Sequence, residues 1–195
     1  CRPCTAGSVC TEAGLVAPDY FCEPGFYCPG GQSSRKPYDY ICPVGSYCPQ
    51  GVPAPLTCPS GLFQDIAMQM KCKVCPPGYY CDWSKPCDSG DWNVTHPQIC
   101  PAGFFCPNGT RQAEQFGCPV GTYSDKTGLG AASECTPCPA GRYCEVTGLT
   151  EPSGNCSASY HCIEGAKTPT PTDTTGRLCP PGHYCPSGTP APVGC

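Results

Sequence analysis

The sequence predicts a small disulfide-rich fold, an elongated tandem array of cysteine-rich repeats built from short β-hairpins, turns and coil with little helix. Three observations carry that expectation. Cysteine supplies 23 of the 195 residues, about 12%, above the roughly 8–10% that marks a disulfide scaffold. Leu, Ile, Val and Phe together supply roughly an eighth of the chain, below the ~20% needed for an ordinary apolar core. A seven-residue unit that opens and closes with cysteine recurs along the whole chain.

A chain that buries little apolar surface needs another source of stability. Disulfides provide it in small secreted domains, at about 2–4 kcal/mol per bridge. So many thiols persist as disulfides only in an oxidising compartment, which predicts an extracellular or cell-surface chain that has passed through the secretory pathway. Three sequons agree with that compartment, at Asn93, Asn108 and Asn155. The segment KTPTPTDTT (167–175) reads as exposed, extended chain, and Thr168, Thr170 and Thr172 are candidate O-glycan acceptors. The net charge is −4 and the basic residues are scattered, which argues against a nucleic-acid surface. No apolar run approaches the ~20 residues of a membrane span. The absence of an initiating Met makes a stretch of a longer protein the simplest reading.

The recurring unit is Cys-x-x-Gly-x-aromatic-Cys. It reads CEPGFYC (22–28), CPVGSYC (42–48), CPPGYYC (75–81), CPAGFFC (100–106), CPAGRYC (138–144) and CPPGHYC (179–185). CTAGSVC (4–10) and CSASYHC (156–162) keep the spacing and lose part of the pattern. Proline after the first cysteine suits a turn, and glycine supplies a backbone conformation that a Cβ forbids. The aromatics Tyr27, Tyr47, Tyr80, Phe105, Tyr143 and Tyr184 form either a binding face or the small core of each module, packed on its disulfide. Packing on the disulfide is the expected role.

A second unit, Cys-Pro-x-Gly-x-aromatic-x-Asp, lacks the closing cysteine. It starts at Cys58 and Cys118, and each copy is followed by Cys-x-x-Cys, at Cys72/Cys75 and Cys135/Cys138. Loop lengths suggest Cys58–Cys72 and Cys118–Cys135 bridges. The units assemble into a larger period of roughly 60–70 residues, giving repeats at 4–74, 75–137 and 138–195 (truncated), with 1–3 the end of a preceding repeat. Cys1 and Cys195 are the candidates for partners outside this stretch. The middle repeat is one cysteine short, because CDSGDWN (87–93) aligns with CEPGFYC and puts Asn93 where Cys28 stands. A glycosylated Asn93 in place of a half-cystine would leave one nearby thiol without its usual partner.

The segments CPVGTYSDKTGLGAASECTPCPAGRYC (118–144) and CPPGHYCPSGTPAPVGC (179–195) resemble ephrin-receptor-like cysteine-rich repeats, and the first is also similar to TNF-receptor-type modules. The density of CPxGxYC units resembles protist and algal surface proteins, including the shaft proteins of flagellar hairs (mastigonemes). The resemblance implies a stalk, scaffold or interaction surface. CTAGSVC, CSASYHC and Asn93 depart from the family pattern.

Other chemistry fits poorly. The Cys-x-x-Cys pairs lie roughly 60 residues apart, too far for paired zinc knuckles, and no βαβ context supports a thioredoxin-like role. His96, His161 and His183 show no nucleophile pairing; His161 and His183 occupy variable slots of the motif and read as surface positions. Asp65 and Asp125 leave calcium open without an EF-hand ladder, and read as turn-bonding residues. The expectation is a non-enzymatic extracellular structural glycoprotein segment, without cofactor beyond covalent N-glycans, whose partners are other copies or repeats in a filament, coat or flagellar appendage. A receptor or adhesin stalk is the alternative.

Overall fold

Every motif among the described residues begins with the same turn. The computed structural model describes residues 3–83 and 96–195, and ten seven-residue motifs lie wholly within them. They start at Cys4, Cys22, Cys42, Cys58, Cys75, Cys100, Cys118, Cys138, Cys156 and Cys179 and are numbered here in that order. In each, the fifth residue donates its N–H to the second residue's carbonyl, as Leu62 does to Pro59 and Arg142 to Pro139, both at 3.0 Å. The fourth residue has positive φ and the third does not, which is the requirement of a type II turn. Glycine meets it in nine motifs. Ser159 meets it in the ninth, at φ 72°.

The turn points the fifth and sixth residues back along the residues that precede the next motif. Short antiparallel pairs result: Ser8–Val9 with Tyr20–Phe21, Ser46–Tyr47 with Leu56–Thr57, and Leu62–Phe63 with Lys73–Val74. Thr122–Tyr123 pairs with Thr136–Pro137, Arg142–Tyr143 with Gly154–Asn155, Tyr160–Cys162 with Gly176–Leu178, and His183–Tyr184 with Val193–Gly194. In the second and sixth motifs the pairing shrinks to single bridges, Phe26 with Ile41 and Phe104 with Gly117. Helix among the described residues is limited to the 3-10 turns Tyr38–Tyr40 and Ala132–Glu134. Residues 62–70 open with the strand Leu62–Phe63 and continue as bends and irregular chain.

The chain divides into two compact units. The first comprises the described residues of Cys1–Cys75 and Cys81–Gln98, the second Pro76–Tyr80 and Ile99–Cys195. Within each, successive motifs are joined by a two-bond step. In the first unit the motif glycine donates to the seventh residue of the next motif: Gly7 to Cys28, Gly25 to Cys48, Gly45 to Gln64 and Gly61 to Cys81, at 2.7–2.8 Å. The return bonds run from the next motif's first cysteine to the glycine carbonyl: Cys22 to Gly7, Cys42 to Gly25, Cys58 to Gly45 and Cys75 to Gly61. The second unit repeats the scheme from Gly78 to Cys106, Gly103 to Ser124, Gly121 to Cys144, Gly141 to Cys162 and Ser159 to Cys185, each at 2.8 Å. The N–H of Cys195 closes the same return bond onto Gly182, at 3.4 Å.

At Gly7, Gly25, Gly78, Gly103, Gly121 and Gly141 the steps leave no room for a side chain. A Cβ at Gly25 would stand 2.7 Å from the Met68 carbonyl oxygen, and one at Gly121 as close to that of Gly165. Both carbonyls belong to turns two motifs further on. Met68 takes φ 63° in such a turn, where Gly51, Gly128, Gly148, Gly165 and Gly188 stand in the others.

Each core is correspondingly small. Val9 packs with the Cys22–Cys28 bridge and Phe26, and Tyr27 packs on Cys42, Cys48 and Val52. Phe105 packs on Cys118, Cys135 and Leu129, and Tyr143 on Cys156, Cys162 and Ala166. The sixth residue of a motif thus covers the following disulfide rather than its own.

Candidate functional site: cystines and glycan acceptors

The first and seventh residues of a motif are brought together by the turn between them. Eight motifs therefore close on themselves: Cys4–Cys10, Cys22–Cys28, Cys42–Cys48, Cys75–Cys81, Cys100–Cys106, Cys138–Cys144, Cys156–Cys162 and Cys179–Cys185. The other two reach forward. Cys58 bonds Cys72 and Cys118 bonds Cys135, with Cα–Cα distances of 5.9 and 5.8 Å. Cys195 is an exposed free thiol. Cys1, Cys87 and Asn93 lie outside the described residues, and so does the substitution of Asn93 for a half-cystine.

Sequence reasoning missed what replaces the closing cysteine in the two open motifs. Gln64 and Ser124 stand there, each only 1% exposed. The Gln64 amide donates to the Lys71 carbonyl at 2.8 Å and its oxygen accepts from the Ile66 N–H at 3.2 Å. The Ser124 hydroxyl accepts from the Lys126 N–H at 3.1 Å. These residues, and not Asp65 or Asp125, hold the turn. Asp65 is ion-paired with Lys73, which lowers its carboxyl below the ordinary range; Asp125 is exposed. The missed signal was position: both polar residues are seventh in an otherwise unchanged motif.

His161 is a second correction. It reads as a surface residue from sequence, but it is 7% exposed and its Nδ1 has no hydrogen-bond partner. The sixth place in a motif is the aromatic place, and an imidazole fills it in the ninth. His183, at the fifth place, is exposed. Tyr184 is 54% exposed.

The glycan acceptors within the described residues all face solvent: Asn108, Asn155, Thr168, Thr170 and Thr172. Their settings differ. Asn108 lies at the head of a tight turn. Asn155 is held in a hairpin opposite Arg142, and its amide lies against Gly188. The segment 167–175 is less free than its composition suggests, since Pro171 is buried and the Pro169 carbonyl accepts from the Ser157 N–H at 2.8 Å.

Among the described residues no group of three His, Cys, Asp or Glu is placed to hold a metal ion, and no helix is long and apolar enough to cross a membrane. The arrangement defines a class: a small disulfide-rich repeat protein, with the bridge density of extracellular and secreted chains. No protein-family model matches the chain, and no curated protein matches it.

Proposed function

We propose that the chain is a non-catalytic structural segment of an extracellular glycoprotein, part of a surface filament, coat or flagellar appendage such as a mastigoneme shaft. In this reading its partners are other copies or further repeats of the same kind, it needs no cofactor, and glycans on Asn93, Asn108 and Asn155 cover part of its surface. The observation that supports it most is the motif-to-motif step. The glycine found in nine of the ten described motifs donates the bond that joins one motif to the next. Such nearest-neighbour construction is how repeat arrays extend.

The test is electron microscopy of the full-length native material shed from the cell surface. Regular fibrils carrying the chain support the proposal. Single stalks bearing a terminal domain would replace it with the receptor or adhesin reading.

A further inference from the structure

We propose that Asn108 is a site of spontaneous, irreversible conversion to aspartyl and isoaspartyl, competing with glycan addition at the same side chain. The chemistry needs three things: an accessible asparagine amide, a following residue without a Cβ, and a backbone nitrogen free to move. Asn108 is exposed and followed by Gly109. Among the described residues the turn around them is pinned only at its ends, where the Thr110 N–H and hydroxyl both bond the Pro107 carbonyl, at 3.2 and 2.6 Å.

The third requirement sets this turn apart from its counterparts. Gly51, Gly165 and Gly188 stand at the same distance after their motifs, and each donates its N–H to the first cysteine of the preceding motif, at 2.8–2.9 Å. Gly109 has the same left-handed backbone, φ 77°, but no described residue accepts its N–H. Ring closure requires the peptide plane between residues 108 and 109 to turn toward the side chain. In the counterparts a hydrogen bond resists that rotation. Here none does.

The step balances without an external oxidant or reductant. The Gly109 nitrogen gives its proton to solvent and attacks the Asn108 Cγ, a C–N bond forms, and the side-chain amide leaves as ammonia. Water then opens the succinimide at either carbonyl, giving aspartyl or isoaspartyl. Either product adds a negative charge and removes the amide that a glycosyltransferase would use. Asn155 is the internal control, because its following residue is Cys156, whose N–H is held by the Gly141 carbonyl at 2.9 Å.

The chain is made without glycans in an oxidising bacterial periplasm, its disulfides are verified, and it is held at neutral pH and body temperature. Peptide mass mapping and isoaspartyl methyltransferase labelling then follow positions 108 and 155. The expected rate at 108 lies within about tenfold of the reduced, alkylated chain, while a site gated by a stable opening falls further behind. Position 155 stays amide, and the Asn108→Gln variant, which keeps Gly109, stays unconverted. Persistence of the amide at 108 in the folded chain, while the reduced chain converts, would overturn the proposal. So would equal conversion at 155. A secreted preparation that carries neither sugar nor conversion at 108 would overturn it as well.

Discussion

Motifs four and seven hold the same turn as the eight motifs that carry their own cystine, although neither has a closing cysteine. Their glycines, Gly61 and Gly121, make the same bonds to the next motif at the same 2.8 Å. What differs is the seventh place. In eight motifs it is a half-cystine; in these two it is a buried Gln64 or Ser124 bonded to nearby backbone, and the freed cysteine reaches Cys72 or Cys135. The motif is therefore a backbone pattern first. The cystine is one of two ways of filling its closing position without leaving a buried polar group unsatisfied.

The harshest way to break the comparison is to reduce every bridge. Each seven-residue loop contributes about 2.4 kcal/mol in the chain-entropy model and the longer loops about 3, and the apolar cores are too small to substitute. Complete loss of hydrogen-exchange protection at ambient temperature is expected, in motifs four and seven as in the rest. Surviving protection at Gly61 and Gly121 would show that polar closure suffices alone.

The next largest effect tests the shared backbone. Gly121→Ala places a Cβ against the Gly165 carbonyl and forces a left-handed conformation on a residue with a side chain. A loss of about 2–4 kcal/mol is expected from overpacking and strain together, measured by denaturant unfolding of the oxidised protein. A loss as small as that of a surface substitution would mean the step is not tight.

The closing position is tested by exchange. Gln64→Ala should cost about 1–3 kcal/mol, because the Lys71 carbonyl and Ile66 N–H lose their partner. The double variant Gln64→Cys with Cys72→Ala should form a bridge between positions 58 and 64, seen by mass mapping, since the turn already holds those positions together. Free thiols at both would argue that motif four differs in geometry and not only in chemistry.

Ser159 offers a gain. It holds φ 72° where the other motifs have glycine, so Ser159→Gly should raise stability by about 1 kcal/mol, read as a higher melting temperature. The smallest effect is one of pH. The Thr175 hydroxyl and N–H donate to the Asp173 carboxylate and hold its pKa below the ordinary 3.8. A depressed folded pKa contributes stability that is present above the unfolded value and is lost as pH falls through the folded one. Local loosening of 163–175 is therefore expected only below pH 3.8, visible as faster exchange there, and Asp173→Asn should remove the acid dependence.

Much of this was legible in the sequence. Cysteine spacing, proline and glycine positions and the lack of helical periodicity carry the turns, the hairpins and the disulfide-rich class. What was not legible depended on contacts between successive motifs. The aromatics looked like the core of their own modules, yet Tyr27, Phe105 and Tyr143 cover the following bridge. His161 looked like a tolerated surface variation, yet it is buried at the sixth place, where most motifs carry a half-buried aromatic. Gln64 and Ser124 are ordinary surface residue types, and only the superposition of their motifs on the stapled ones reveals that they are enclosed.

The locality of the bridges has a mechanical side. Every described cystine joins residues 6, 14 or 17 positions apart, so pulling on the described chain leaves about half of its length outside any closed loop. The bridges withhold only short segments from the extensible contour, and none ties distant parts of the chain together. Within each unit, resistance to stretching then rests on the backbone hydrogen bonds between successive motifs, the paired bonds of each step among them. Such a chain yields one motif at a time under load and can re-form each step when the load is released, with its covalent frame intact throughout.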